Sequence, residues 1–171
     1  MRYTDQALTR ESPLLEFEHL VQVNDLNDAS IKDISRPQLW RGLEMRARNP
    51  QKFNRSLECQ SKPLGENEFL RTINVGGSTF CERVLLYPEK KICTSTVSEH
   101  DQIMAESITC IEEPEAGSLF VRFSYKRELD DSDQQVDVGE HLKAAYVQVD
   151  RDAIAMIRML AESELLDQSI N

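Results

Sequence analysis

Five polar side chains fall where strand alternation directs them inward, among apolar neighbours. His19 lies between Phe17 and Val21, Arg71 between Phe69 and Ile73, and Glu82 between Phe80 and Val84; Glu106 shares a face with Met104 and Ile108, and Tyr125 follows Val121 and Phe123. Buried polar groups need partners and often mark ligand contacts. If Arg71 and Glu82, on successive strands of a hairpin, meet across an interior space, His19 or Tyr125 could offer a hydrogen bond or a proton to a ligand carbonyl. The alternative is structural: a plain ion pair and a hydrogen-bonded core histidine. A slip of one residue in register would carry any of these groups to the opposite face.

Other chemistries find little support. His19, His100 and His141 are far apart, with no His or Cys at ligand spacing beside them, so no metal is expected. Cys59, Cys81, Cys93 and Cys110 form no Cys-x-x-Cys pair, and the last three stand in strand-like runs as reduced, packed thiols; a reactive thiolate would need a partner histidine. Gly76-Gly77 lacks the further glycines and following helix of a phosphate loop, and no Gly-x-Ser-x-Gly elbow occurs. No cofactor is expected.

With 20 Lys+Arg against 30 Asp+Glu, the net charge of −10 disfavours nucleic acid and anionic membranes as partners. Neither a signal-type apolar run near Met1 nor a span of ~20 apolar residues is visible. A cytoplasmic protein without membrane insertion is the expectation. Arg36, Arg41, Arg46, Arg48, Lys52 and Arg55 against Glu44 alone make one segment locally basic. Such a segment attracts an acidic ligand or partner, or else its arginines are solvated and bridge to the acidic loops.

The elements that position these residues follow from periodicity. Residues 1–13 read as a disordered lead-in, 14–166 as a single domain and 167–171 as a frayed tail. Leu15 to Asn24 alternates as a half-buried strand. Ser35 and Gln38 have capping-box spacing with Pro37 in the first turn, and Leu39, Leu43 and Ala47 recur every four residues beside Trp40, which is expected to pack the helix on the sheet, the alternative being a contact at the pocket mouth. Asn49-Pro50 ends that helix before a second short piece around Gln51 to Arg55. Six strand-like runs follow between Leu57 and Leu129, separated by short Pro- and Gly-bearing turns, which predicts an antiparallel meander. Beyond an acidic loop, Asp137 is a plausible N-cap for a helix from Val138 to about Leu165, roughly 42 Å long.

The class is therefore α+β: a seven-stranded curved antiparallel sheet wrapped around a long C-terminal helix, with two short helices after the first strand. One straight helix cannot fill the concavity of a curled sheet, so a cavity is expected. The helix's apolar stripe mixes bulky Leu142, Tyr146 and Met156 with Ala145, Val149 and Ala153. Small Ala145 and Ala153 place the opening beside Ala145 to Ala153, facing His19, Arg71 and Tyr125, with Phe123 a further pocket candidate.

Several stretches resemble the START-like superfamily, also termed Bet v 1-like, SRPBCC or polyketide-cyclase-like, and within it the AtaL-like group. They are Phe17-Glu18-His19, Leu39-Trp40-Arg41-Gly42-Leu43 with Arg46-Ala47 and Pro50, and Glu82-Arg83-Val84. Ile111-Glu112-Glu113-Pro114 through Leu119-Phe120-Val121-Arg122-Phe123 and Lys143-Ala144-Ala145-Tyr146 complete them, and the similarity runs from about residue 15 to 163. The resemblance implies a helix-grip fold with an interior pocket for lipids, polyketides or aromatic metabolites. It does not decide among carriers, cyclases or aromatases, and co-chaperone-like interaction modules. Binding of a hydrophobic small molecule is the leading expectation, a cyclase-like enzyme using the same pocket the second, and an interaction module the third.

Overall fold

Alternation of apolar and polar residues builds the sheet. In the computed structural model, which describes residues 14–97, 103–129 and 138–166, seven strands run in the order β1-β7-β6-β5-β4-β3-β2. They are β1 (Leu14–Gln22), β2 (Glu58–Gly65), β3 (Glu68–Val75), β4 (Ser78–Tyr87), β5 (Lys91–Thr96), β6 (Ala105–Glu115) and β7 (Ser118–Glu128). All six pairings are antiparallel. Register sets the inner face: Val21 opposes Val121, His19 opposes Phe123 and Phe17 opposes Tyr125. Across the other half Phe69 opposes Val84, Arg71 opposes Glu82, and Val84 opposes Thr94.

The connection from β1 to β2 holds helix α1 (Arg36–Arg48) and a 3-10 turn (Pro50–Lys52). Ser35 and Gln38 form the capping box, each side chain bonding the other's backbone N–H. Just beyond the cap Arg36 donates to the Glu89 carbonyl and to Glu113, which ties the start of α1 to the β4–β5 turn and to the end of β6. The second short helical piece is thus the single 3-10 turn. Trp40 is buried in the core with Leu39 and Leu43.

Helix α2 (Val138–Glu162) has 25 residues, about 38 Å at 1.5 Å each. It ends three residues before the expected Leu165, in a turn where Glu164 adopts φ 59°. Its buried residues are Asp150, Ala153, Ile154, Ile157 and Ala161. The stripe facing the sheet is therefore centred about one residue away from the expected one, which leaves Ala145 exposed and Val149 53% exposed. No helix among the described residues is long and apolar enough to cross a membrane. The expected lead-in over 1–13, the tail over 167–171, Asp137 and His100 lie outside the described residues.

The two helices meet at Gly42. A Cβ there would lie 2.4 Å from Ile157 Cγ2, 2.7 Å from Cγ1 and 3.0 Å from Cβ, and Ile157 is itself fully buried. Gly42→Ala gains about 1 kcal/mol of helix propensity, but overpacking a core costs about 1–3 kcal/mol, and with Ile157 boxed in the second effect wins. Gly42→Ala is expected to lower stability by about 1–2 kcal/mol in denaturant titration. Because the clash is with one side chain, Gly42→Ala/Ile157→Ala should lose less than the sum of its single variants.

Candidate functional site

The polar centre of the molecule lies where α2 crosses β1 and β7. Asp150 is four residues after Tyr146 and three, four and seven before Ala153, Ile154 and Ile157, so helical period puts it on the buried side. It is completely buried. Its Oδ2 accepts from the Tyr125 hydroxyl at 2.5 Å and lies 2.7 Å from His19 Nε2, while Oδ1 accepts from Arg46 of α1 at 2.9 Å. One carboxylate thus joins α1, α2, β1 and β7. Burial, then the Asp150 charge, pushes the Tyr125 phenol well above its ordinary value of 10.0, so Tyr125 is held as a neutral donor.

Aromatic rings fix these donors in place. His19 stacks on Phe123 at 5.2 Å between centroids, and Tyr125 stacks on Tyr146 at 4.3 Å. Offset stacking adds to the area the rings bury.

Beside this centre opens a cavity of about 540 Å³. Leu43, Arg46 and Ala47 of α1 border it, with Phe53 and Leu57 beyond the 3-10 turn. The inner faces of β3 to β7 make its floor. Arg71 reaches across from β3: its guanidinium donates to the Ala47 carbonyl at 2.7 Å and its Nε lies 3.4 Å from Glu82. That Nε is buried and has no hydrogen bond. Arg71 and Glu82 form an ion pair within the wall, 14% and 21% exposed.

Of the residues expected at the site, Arg71, Glu82, Tyr125, Tyr146, Ala153 and Met156 line the cavity, and Val149 borders it from its exposed position. His19, Phe123, Leu142 and Ala145 are not on its wall; His19 and Phe123 stack behind Tyr125, and Ala145 faces outward. Glu106 borders the cavity, but not from the expected face. In β6 the inward residues are Ala105, Ser107, Thr109 and Ile111, with Ser107 opposite Tyr125 and Ile111 opposite Val121; Glu106 alternates outward with exposed Ile108. The two members of that strand pattern with the largest apolar side chains, Met104 and Ile108, are both exposed, which is why apolar content pointed to the wrong parity.

Sequence reasoning missed Asp150 and Arg46. The available signal was position: Asp150 falls within the apolar period of α2, and Arg46 is three residues after Leu43 and one before Ala47 on α1. Among the described residues no group of three His, Cys, Asp or Glu side chains is placed to hold a metal ion.

The family described as AtaL, Acetylaranotin biosynthesis cluster protein L, matches residues 21–164. The chain belongs to that family. Its fold is the Bet v 1-like helix-grip fold. Among solved structures, the di-domain ARO/CYC StfQ from the steffimycin biosynthetic pathway is similar with a TM-score of 0.66 and 11% identity, over 89% of this chain and 52% of that one. The Zhui aromatase/cyclase from Streptomyces sp. R1128 has a TM-score of 0.62 and 14% identity, over 90% and 96%. Ara h 8.0201 has a TM-score of 0.55 and 10% identity, over 85% and 98%. The chain spans about half the length of the di-domain proteins StfQ and BexL. At these identities the likeness is one of fold. No curated protein matches the sequence.

Two outcomes test the polar centre. Asp150→Ala leaves Arg46 and Tyr125 with a lost partner in a buried setting and should cost about 3 kcal/mol or more in denaturant titration. For Tyr125 the sign follows from its raised pKa. Above pH 10 an unfolded chain releases the phenol proton while the native one keeps it, so the native state binds more protons and stability falls as pH rises. Stability is thus full below about pH 10 and declines above it, and Tyr125→Phe should flatten that decline while losing about 1–2 kcal/mol at neutral pH.

Proposed function

We propose that the protein binds a hydrophobic small molecule in the cavity between the sheet and α2. The observation that carries this reading is the cavity itself, about 540 Å³, within the ~300–1,000 Å³ range of small-molecule sites. Its α2 wall offers Val149, Ala153 and Met156, and Phe53 and Leu57 add apolar surface beside the 3-10 turn. A closed core would be expected of an interaction module. The net charge of −10 speaks against nucleic acid as the partner. The reading places the protein in the cytoplasm, where thiols such as its four free cysteines stay reduced.

The acid and base groups near the cavity favour binding over reaction. Tyr125, His19 and Arg46 are each bonded to Asp150. A general acid or base must meet the proton it moves, and these groups face each other. A cyclase- or aromatase-like reaction is the second reading. One observation favours it: the Arg71–Glu82 ion pair stands at the cavity wall, where the partly exposed guanidinium could polarise a substrate carbonyl.

Titration with phenylnaphthylamine, whose fluorescence rises in apolar surroundings, is the direct check. One-to-one saturation in the micromolar range, about −8 kcal/mol, is expected. Val149→Trp sits on an exposed position at the opening and should weaken that binding at least about tenfold with no loss of stability. A wild type that does not bind the dye would refute the reading.

A further inference from the structure

One part of the cavity wall is neither apolar nor charged. Thr94 of β5 and Ser107 of β6 stand directly opposite each other in register, and Thr109 occupies the next inward position on β6. Directly opposed side chains are about 5 Å apart and alternate positions along a strand about 7 Å. All three border the cavity, and none of their hydroxyls has a hydrogen-bond partner among the described residues. Elsewhere the inner face carries Val84, Leu86, Ile92, Ile111, Val121 and Phe123. Valine has the shape of threonine and suits a strand at least as well, so nothing in the packing calls for hydroxyls here. Thr96, on the same face of β5, differs: its hydroxyl is engaged with the backbone of Ala105.

We propose that Thr94, Ser107 and Thr109 form a hydroxyl row that contacts oxygens along one edge of the ligand, which is a neutral, polyoxygenated ring compound and not an aliphatic lipid. This deepens the binding reading above and rests on it. A hydroxyl both donates and accepts, so the row suits carbonyl and hydroxyl oxygens alike. Opposite it, Val149, Ala153 and Met156 present apolar surface to the ligand's other side. Arg71 with Glu82 and Arg46 with Asp150 are neutralised within the protein, which leaves these inward charges little to offer an ionic headgroup, while Arg127 also borders the cavity. An alkyl chain entering the cavity would displace water from three hydroxyls and return no hydrogen bond, which costs affinity.

The experiment compares two neutral probes on the full chain: naringenin, a flavanone with oxygens on alternate ring carbons, and oxygen-free phenylnaphthylamine. Thr94→Val/Thr109→Val should weaken naringenin at least about tenfold, and Ser107→Ala alone about 3–10-fold, with phenylnaphthylamine unchanged. The single variant removes one small group and keeps the test valid if the double variant is unstable. Unchanged naringenin affinity in the variants, or equal losses for both probes, would overturn the inference, as would wild type that takes phenylnaphthylamine but not naringenin. Wild type that takes neither probe would remove the binding reading and this inference with it.

Discussion

A carboxylate withdrawn from water is tolerable only when donors replace its hydration, and Asp150 is met by Tyr125, Arg46 and His19. Much of the architecture follows from that exchange. The donors come from three elements, so they can converge only when α1, β1 and β7 hold their positions around α2. The same requirement sets the rotation of α2. An arrangement centred on the apolar residues alone would turn Val149 inward, whereas the ion pair turns it to 53% exposure and brings Ile154 and Ile157 into the core. Gly42 then allows α1 to close on Ile157.

The cavity is the complement of this anchoring. α2 is held at its middle by Asp150 and packed through Ile154, Ile157 and Ala161 toward its C-terminal end. Towards β3 to β6 the helix leaves the curled sheet uncovered, and there Arg71 extends under α1 to the Ala47 carbonyl. The charges of Arg71, Glu82, Arg46 and Asp150 on that wall thus already have partners, with an apolar side on α2. Polar order and open volume sit side by side because the charges that fix the helix are satisfied within the protein.

Much of the fold was legible because strands and caps have short-range signatures. The alternation of Phe17, His19 and Val21, the Ser35–Gln38 box, the Asn49-Pro50 break and the Gly76-Gly77 turn each depend on a few adjacent residues, and each appears where expected. The site was less legible because its parts are long-range. Glu106 was assigned by the apolar neighbours Met104 and Ile108, but face is decided by pairing with β5 and β7, and that pairing directs Ser107 and Thr109 inward. Asp150 looks like a solvated charge between Val149 and Arg151, and only contacts with His19, Arg46 and Tyr125, 131, 104 and 25 positions earlier, give it a reason to be buried. Counting apolar residues alone therefore placed Ala145 and Val149 on the inner stripe.

The most direct test of the account is a set of intermolecular nuclear Overhauser effects between bound phenylnaphthylamine and the labelled protein. The account predicts contacts to the methyl groups of Val149, Ala153, Met156 and Thr94, which border the cavity from both sides. Contacts confined to the outer sheet face around Leu20 and Ile108, both exposed, would contradict it.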